Sequence, residues 1–198
     1  MHIRWIAACC LLGLGSLTAA AQMGGPAKGP EPGTIITPAE VFDAQLSLIE
    51  GEMMSAVKAM PADKFDFAPS QAIFVPGQKT EFATVRTFAQ QATHVAAANY
   101  FYYKVVSGMQ PDVDPRGILK LTKKDDVVAA LAGSFAFAHK AMATLTPANS
   151  FEVVKSIAPG LQTRATLAAW GIAHANDHYG QMVEYLRMNG IVPPASAK

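Results

Sequence analysis

The sequence predicts an all-α protein, a four-helix bundle with long connections. Three observations carry that prediction. Four stretches repeat apolar residues every three or four positions, the spacing that builds one apolar face on a helix. No stretch is convincing as a strand, which needs apolar and polar residues to alternate. Segments rich in Pro and Gly separate the four stretches, and no internal repeat relates them. The chain has 198 residues, 51% of them hydrophobic, which favours one domain with a sizeable core.

The N-terminal residues stand apart from that core. Met1–Arg4 carries a positive charge, Trp5–Leu17 is apolar, and Ala19, Ala20 and Ala21 offer the small side chains a signal peptidase reads. Residues 1–21 therefore read as a secretory signal peptide cleaved after Ala21, and the protein as exported, periplasmic or secreted. The apolar run is too short to span a bilayer comfortably and a Gly/Pro segment follows it, so a membrane anchor ranks behind. A lipoprotein cut at Ile6–Cys9 would leave almost no apolar region and ranks lower still. Residues 22–36 are rich in Gly and Pro and poor in large apolar residues, which predicts a flexible leader. The bundle domain then occupies residues 37–194.

Thr37 suits the cap of the first helix, Pro38 its first position, and Glu40 completes a capping box. Phe42, Leu46, Ile49, Met53, Ala56 and Met60 form its stripe, and Pro61 stops it. Pro61–Lys79 carries Pro61, Pro69, Pro76 and Gly77 and reads as a long connection. The second helix is expected from Thr80 or Glu81 to Ser107, ended by Gly108. Thr87, Gln91, His94, Ala98, Phe101 and Val105 share one of its faces. Ala92, Ala96, Ala97 and Ala98 are small enough to let a neighbouring helix come close beside His94. Met109–Leu121, with Pro111 and Pro115, reads as loop. Thr122, with Asp125 three residues on, is expected to cap a third helix reaching Leu145. Its stripe is Leu131, Phe135, Ala138, Met142 and Leu145. Thr146–Gln162, with Pro147 and Pro159, is loop again. The fourth helix runs from Arg164 to Asn189, Gly190 closes it, and Pro193 and Pro194 reinforce the stop. The tail beyond is expected to pack loosely. Connections this long allow a crossover, so the order of neighbours stays open.

Composition removes several functions. Both cysteines, Cys9 and Cys10, lie in the signal peptide. The mature chain then has no disulfide, no thiolate ligand and no cysteine nucleophile. Loss of Arg4 brings the basic residues level with the 15 acidic ones. A neutral balance without a basic block argues against nucleic acid. No second apolar segment is long enough to cross a membrane. The methionines are scattered across the helices and read as core filler, not as a copper site.

The chemistry gathers near the C-terminus, in His174-Ala175-Asn176-Asp177-His178. A spacing of four puts both imidazoles on one helical face, where they form a usable pair of metal ligands. Leu167, Gly171, Gln181 and Tyr185 fall in the same sector, which is half polar, unlike an ordinary core stripe. The motif lacks the Glu of the metalloprotease helix signature. Asp177, on the flank, either orients a ligand or is solvated. Gln181 either contacts a bound water or substrate or bridges to a neighbouring helix, and Tyr185 reads as packing. A third ligand must come from another helix. His94 and His139 are the candidates, His139 lying at the core boundary of the third helix.

Two longer stretches carry a family resemblance. One runs from His174 through Asp177, His178, Tyr179, Gly180 and Gln181, then from Val183 to Pro194. The other is Gln91-Ala92-Thr93-His94-Val95-Ala96-Ala97-Ala98-Asn99, and the loop Pro61–Pro69 adds to both. In these the chain resembles the DinB-like family of metal-dependent four-helix-bundle proteins, from about Pro38 to Pro194. The resemblance implies a divalent metal held by three histidines, and implies His94, not His139, as the partner of His174 and His178. It also implies, for some relatives, transferase or isomerase chemistry that uses a low-molecular-weight thiol. Family membership of this kind says more about the site than about the reaction.

Two functions follow. Three neutral His ligands leave a position open on the ion, as catalytic sites do. The first function is therefore a metal-dependent transferase, moving a small thiol onto an electrophile, or a hydrolase, acting in either case on a small molecule. The second is a non-catalytic, exported metal-binding or stress-related module in which the ion is structural. Imidazole suits zinc, nickel and iron, and also copper, so the donors do not select the ion. A homodimer is compatible with all of this.

Overall fold

The computed structural model describes residues 29–70, 73–79, 85–155, 160 and 162–197. The expected signal peptide and residues 22–28 of the expected leader lie outside the described residues, as do residues 80–84. By contacts the chain divides into Met1–Thr34 and Ile35–Lys198. In the first unit the described residues include one turn, closed by the Thr34 N–H on the Glu31 carbonyl at 3.0 Å.

The second unit is helical: α1 (Pro38–Ala59), α2 (Phe88–Ser107), α3 (Pro115–Ile118), α4 (Lys124–Met142) and α5 (Arg164–Met188). Among the described residues the only β-pairing is an isolated antiparallel bridge between Val153 and Thr163. None of the described helices is long and apolar enough to cross a membrane.

α1 begins as its sequence predicts. The Glu40 N–H donates to the Thr37 hydroxyl at 3.2 Å, and the Thr37 N–H donates to the Glu40 carboxylate at 2.8 Å. At its other end Lys124 donates to the carbonyls of Lys58 and Met60 at 2.7 and 2.8 Å. That places a cation on the negative end of the helix, where it is stabilising.

α2 starts later than expected, at Phe88, because its first four N–H groups are satisfied there. Thr87 and Gln90 form a capping box, with bonds of 2.9 and 3.2 Å. The N–H groups of Phe88 and Ala89 donate to the carbonyls of Phe67 and Phe65 at 2.9 and 2.8 Å. The Pro61–Pro69 loop thus closes the helix start that would otherwise carry orphan donors. Phe65 packs edge-on against Phe88, and Phe67 against Tyr185. Gly108, at φ +78°, ends α2 in the left-handed region that favours glycine.

Four further expectations are corrected. α4 starts at Lys124 after Lys123, which makes no side-chain cap bond, so Thr122 lies outside the helix and does not cap it. α4 ends at Met142 in a turn, although Leu145 stays buried. The expected loop Met109–Leu121 contains α3, whose first N–H groups are met by Asp114, the carboxylate accepting from the Arg116 N–H at 3.0 Å. The tail is not loose: Pro193 is buried and the 3-10 turn Pro194–Ser196 packs against α1.

α1 and α2 each pack against both α4 and α5 and lie diagonally from one another, as do α4 and α5. The α1–α2 and α4–α5 connections therefore cross diagonals, which a tight hairpin cannot do. The core runs through all four long helices, with Leu46, Met53, Phe88, Tyr103, Leu131, Phe135, Leu167 and Met182 fully buried. Each large apolar side chain so buried contributes roughly 1.5–3 kcal/mol. α5 approaches α2 closely at Gly171, where a Cβ would lie 2.6 Å from the Tyr103 hydroxyl oxygen. One turn further along α5 stands His174.

Candidate metal centre

α2 and α5 bring His94, His174 and His178 together. The Nε2 atoms of His94 and His174 are 3.1 Å apart, and those of His178 and His174 are 3.2 Å apart. Each ring offers a nitrogen, and the three lie within 4.8 Å of one another. Nitrogens 2.0–2.1 Å from a tetrahedral ion stand about 3.3 Å from one another. The two distances to His174 are close to that, and the donor set, three imidazoles, suits a divalent transition metal.

The rings are held neutral. Burial is the chief cause in each case, pushing all three down to about 4. The Arg86 guanidinium and a neighbouring ring add to the fall, while Asp177 opposes it at His174 and His178. At neutral pH each ring therefore carries one proton and one lone pair, the form that binds a metal.

A chain of hydrogen bonds sets the tautomer of His178. Asp177 Oδ2 accepts from Gln181 Nε2 at 3.0 Å, Gln181 Oε1 accepts from Gln91 Nε2 at 2.8 Å, and Gln91 Oε1 lies 2.6 Å from His178 Nδ1. An ionised carboxylate only accepts. The amides must then both point the same way, Nδ1 of His178 must donate, and Nε2 turns a lone pair to the cluster. Gln181 is thus a bridge to α2, one of the two roles its sequence position suggested. Tyr185 is buried, with its hydroxyl donating to the Arg86 carbonyl at 3.0 Å. Nδ1 of His174 is buried without a partner among the described residues.

His139 is elsewhere. It stands between two carboxylates of α1, Asp43 at 2.6 Å from Nδ1 and Glu50 at 2.8 Å from Nε2. Sequence reasoning gave no role to Gln91 or Arg86. Gln91 had a signal: it lies one turn before His94, as Gln181 lies one turn after His178, each a lone amide beside a ligand candidate.

The cluster opens onto a groove of about 370 Å³, walled by Ala97, Ala98, Phe101, Tyr102, Pro115 and Leu119. The α2 face that the sequence marked out as shared by His94, Ala98 and Phe101 is therefore partly a groove wall, while Ala92, Val95 and Ala96 go to the core. A recess of about 340 Å³ adjoins it, lined by Arg86, Gln90, Thr93, His94 and Leu119. A third, of about 260 Å³, lies beyond His174 between Trp170 and Asp177.

A helical bundle whose facing helices gather three neutral imidazoles beneath an open groove is built like a metal-binding bundle protein. The DinB superfamily matches residues 45–182, and the chain belongs to it. Among solved structures it is similar to a DinB-like protein from Bacillus cereus ATCC 10987, with a TM-score of 0.64 and 13% identity. That likeness covers 78% of this chain and 95% of the other, and it bears on the fold alone. No curated protein matches the chain.

Proposed function

We propose that this protein is an exported metalloenzyme in which His94, His174 and His178 hold a divalent zinc, nickel or iron ion, and that it transfers a small thiol to an electrophile or hydrolyses a small substrate. The observation that carries the reading is the meeting of three neutral rings at the edge of an open groove. When bound, such an ion supplies Lewis acidity and lowers the pKa of a thiol or water beside it. The chain's own part is positional. Gln91 fixes the ring of His178, and the apolar wall from Ala97 to Tyr102 holds the substrate body and displaces water. Without Cys9 and Cys10 the mature chain has no thiol, so any thiol comes with the substrates. Export rests on the composition of residues 1–21. A purely structural ion is less well supported, because His139, the remaining histidine of the mature chain that could close the site as a fourth ligand, is engaged by Asp43 and Glu50.

Elemental analysis of the mature protein, beside His94→Ala and His178→Ala, tests the site. The wild type should carry about one ion per chain and each variant should lose it. Full metal in both variants defeats the assignment. Panels of electrophile plus thiol, and of esters, then test the reaction class, with turnover expected only from the loaded wild type.

A further inference from the structure

Arg86 is the one cation that lines either recess beside His94 without an ion pair among the described residues. Arg116, in the apolar groove, is bound to Asp114 at 3.1 Å. Arg86 stands one residue before the cap of α2, and its backbone is pinned, since its carbonyl accepts from the Tyr185 hydroxyl of α5. It shares its recess with Gln90, Thr93, His94 and Leu119, and among the described residues no carboxylate lines that wall. Asp177 lines the third recess, beyond His174, and is taken up by Gln181. His94 and Leu119 line both the Arg86 recess and the apolar groove, so the two adjoin at His94.

We propose that the recess between Arg86 and His94 is an anion subsite, and that the substrate is an elongated carboxylate with an apolar body in the Ala98–Phe101–Leu119 groove and its carboxylate on the Arg86 guanidinium. A carboxylate fits better than a phosphate. A single guanidinium fork matches one planar carboxylate in bidentate fashion. A phosphate dianion calls for further donors, and the first N–H groups of α2 are already spent on Thr87, Phe65 and Phe67. The proposal deepens the metalloenzyme reading by naming the substrate class for the same site.

The test is binding of phenylbutyrate and of its uncharged amide to the full mature chain, by calorimetry, with metal removed and with zinc restored. In metal-free wild type the carboxylate should bind about fivefold more tightly than the amide, the upper end for a partly exposed ion pair. The preference should shrink in high salt. Arg86→Gln should abolish it and leave amide binding and the melting temperature unchanged, while Arg86→Lys keeps part of it. Equal affinity for acid and amide, a preference that survives Arg86→Gln, or no phenylbutyrate binding at millimolar concentration overturns the proposal. Displacement by inorganic phosphate at or below the phenylbutyrate concentration overturns the carboxylate assignment. The metal-free arm separates the two readings. A preference retained in a protein that binds no zinc sinks the metal site alone, and zinc bound without any preference sinks the subsite alone.

Discussion

Nδ1 of His178 lies 2.6 Å from Oε1 of Gln91, and this contact decides which nitrogen of His178 faces the cluster. The direction of the contact is inherited from Asp177 through Gln181, so four side chains from two helices act as one unit. Gln91→Leu removes the acceptor and frees the ring to take the other tautomer. Metal affinity should fall about 10–100-fold, the usual effect of losing a partner behind a ligand. Asp177→Asn should weaken it less, because an Asn can present either end of its amide and only the sense of the relay is lost. Competition against a calibrated chelator measures both. A Gln91→Leu protein with wild-type affinity, beside a His178→Ala protein that has lost the metal, would show that the contact positions nothing.

An ion held between α2 and α5 by the three histidines would also report on stability. It would bind the folded site and not the separated rings of the unfolded chain. Excess free metal at a thousand times its Kd therefore adds about 4 kcal/mol. For a domain of this size the melting temperature should rise by on the order of ten degrees. A chelator should reverse the rise, and His174→Ala should not show it. Identical melting curves with and without metal would leave the cluster without an ion.

Much of this arrangement is legible in the sequence, and the misses have a common cause. The stripes Leu46–Met53 and Leu131–Met142 predict their buried faces correctly, because helical periodicity depends only on the residue's own neighbours. The His174–His178 pair is equally local. The start of α2 is misjudged because the carbonyls that close it belong to Phe65 and Phe67, far back in the chain. Thr87 and Gln90 do form a local capping signal, which the long helical pattern obscured. Gln91 acquires its role only when α5 is laid beside α2, and the Arg86 recess forms only when Leu119 is brought to α2. The choice of His94 over His139 came from family resemblance. Geometry gives an independent account of it, since His139 is turned to the carboxylates of α1.

Tyr103 of α2 and Gly171 of α5 meet in a tight contact, and they make opposite predictions. The Tyr103 hydroxyl is buried with no partner among the described residues, and burial raises its pKa. An unpaired buried hydroxyl costs about 1–3 kcal/mol. Tyr103→Phe should therefore leave stability unchanged or raise it. Gly171→Ala adds a Cβ 2.6 Å from that oxygen and 2.7 Å from Cζ, so the ring itself must move. Overpacking of this kind costs about 1–3 kcal/mol, against a helix-propensity gain of about 1 kcal/mol. The variant should be destabilised, and still so in the Tyr103→Phe background, because the Cζ contact remains. Urea unfolding of the four proteins reads this directly, and a stabilised Gly171→Ala contradicts the packing.

His139 supplies the pH dependence. Burial disfavours its charged form, but the hydrogen bonds and charges of Asp43 and Glu50 outweigh that, and its pKa is raised. A raised pKa in the folded state means that folding is favoured by the proton. The contribution is whole below the unfolded value of about 6.5 and is lost as pH climbs through the folded value. The three clustered histidines have the opposite sign. Their folded pKa values near 4 remove stability as pH falls below about 6.5, and above it they are neutral in both states. The range from about 6.5 to about 9 therefore isolates His139. Metal-free wild type should lose stability across that range, and His139→Leu should show a flatter profile. Parallel profiles for the two proteins would mean that the imidazole between Asp43 and Glu50 carries no extra proton, and that it donates to only one of the two carboxylates.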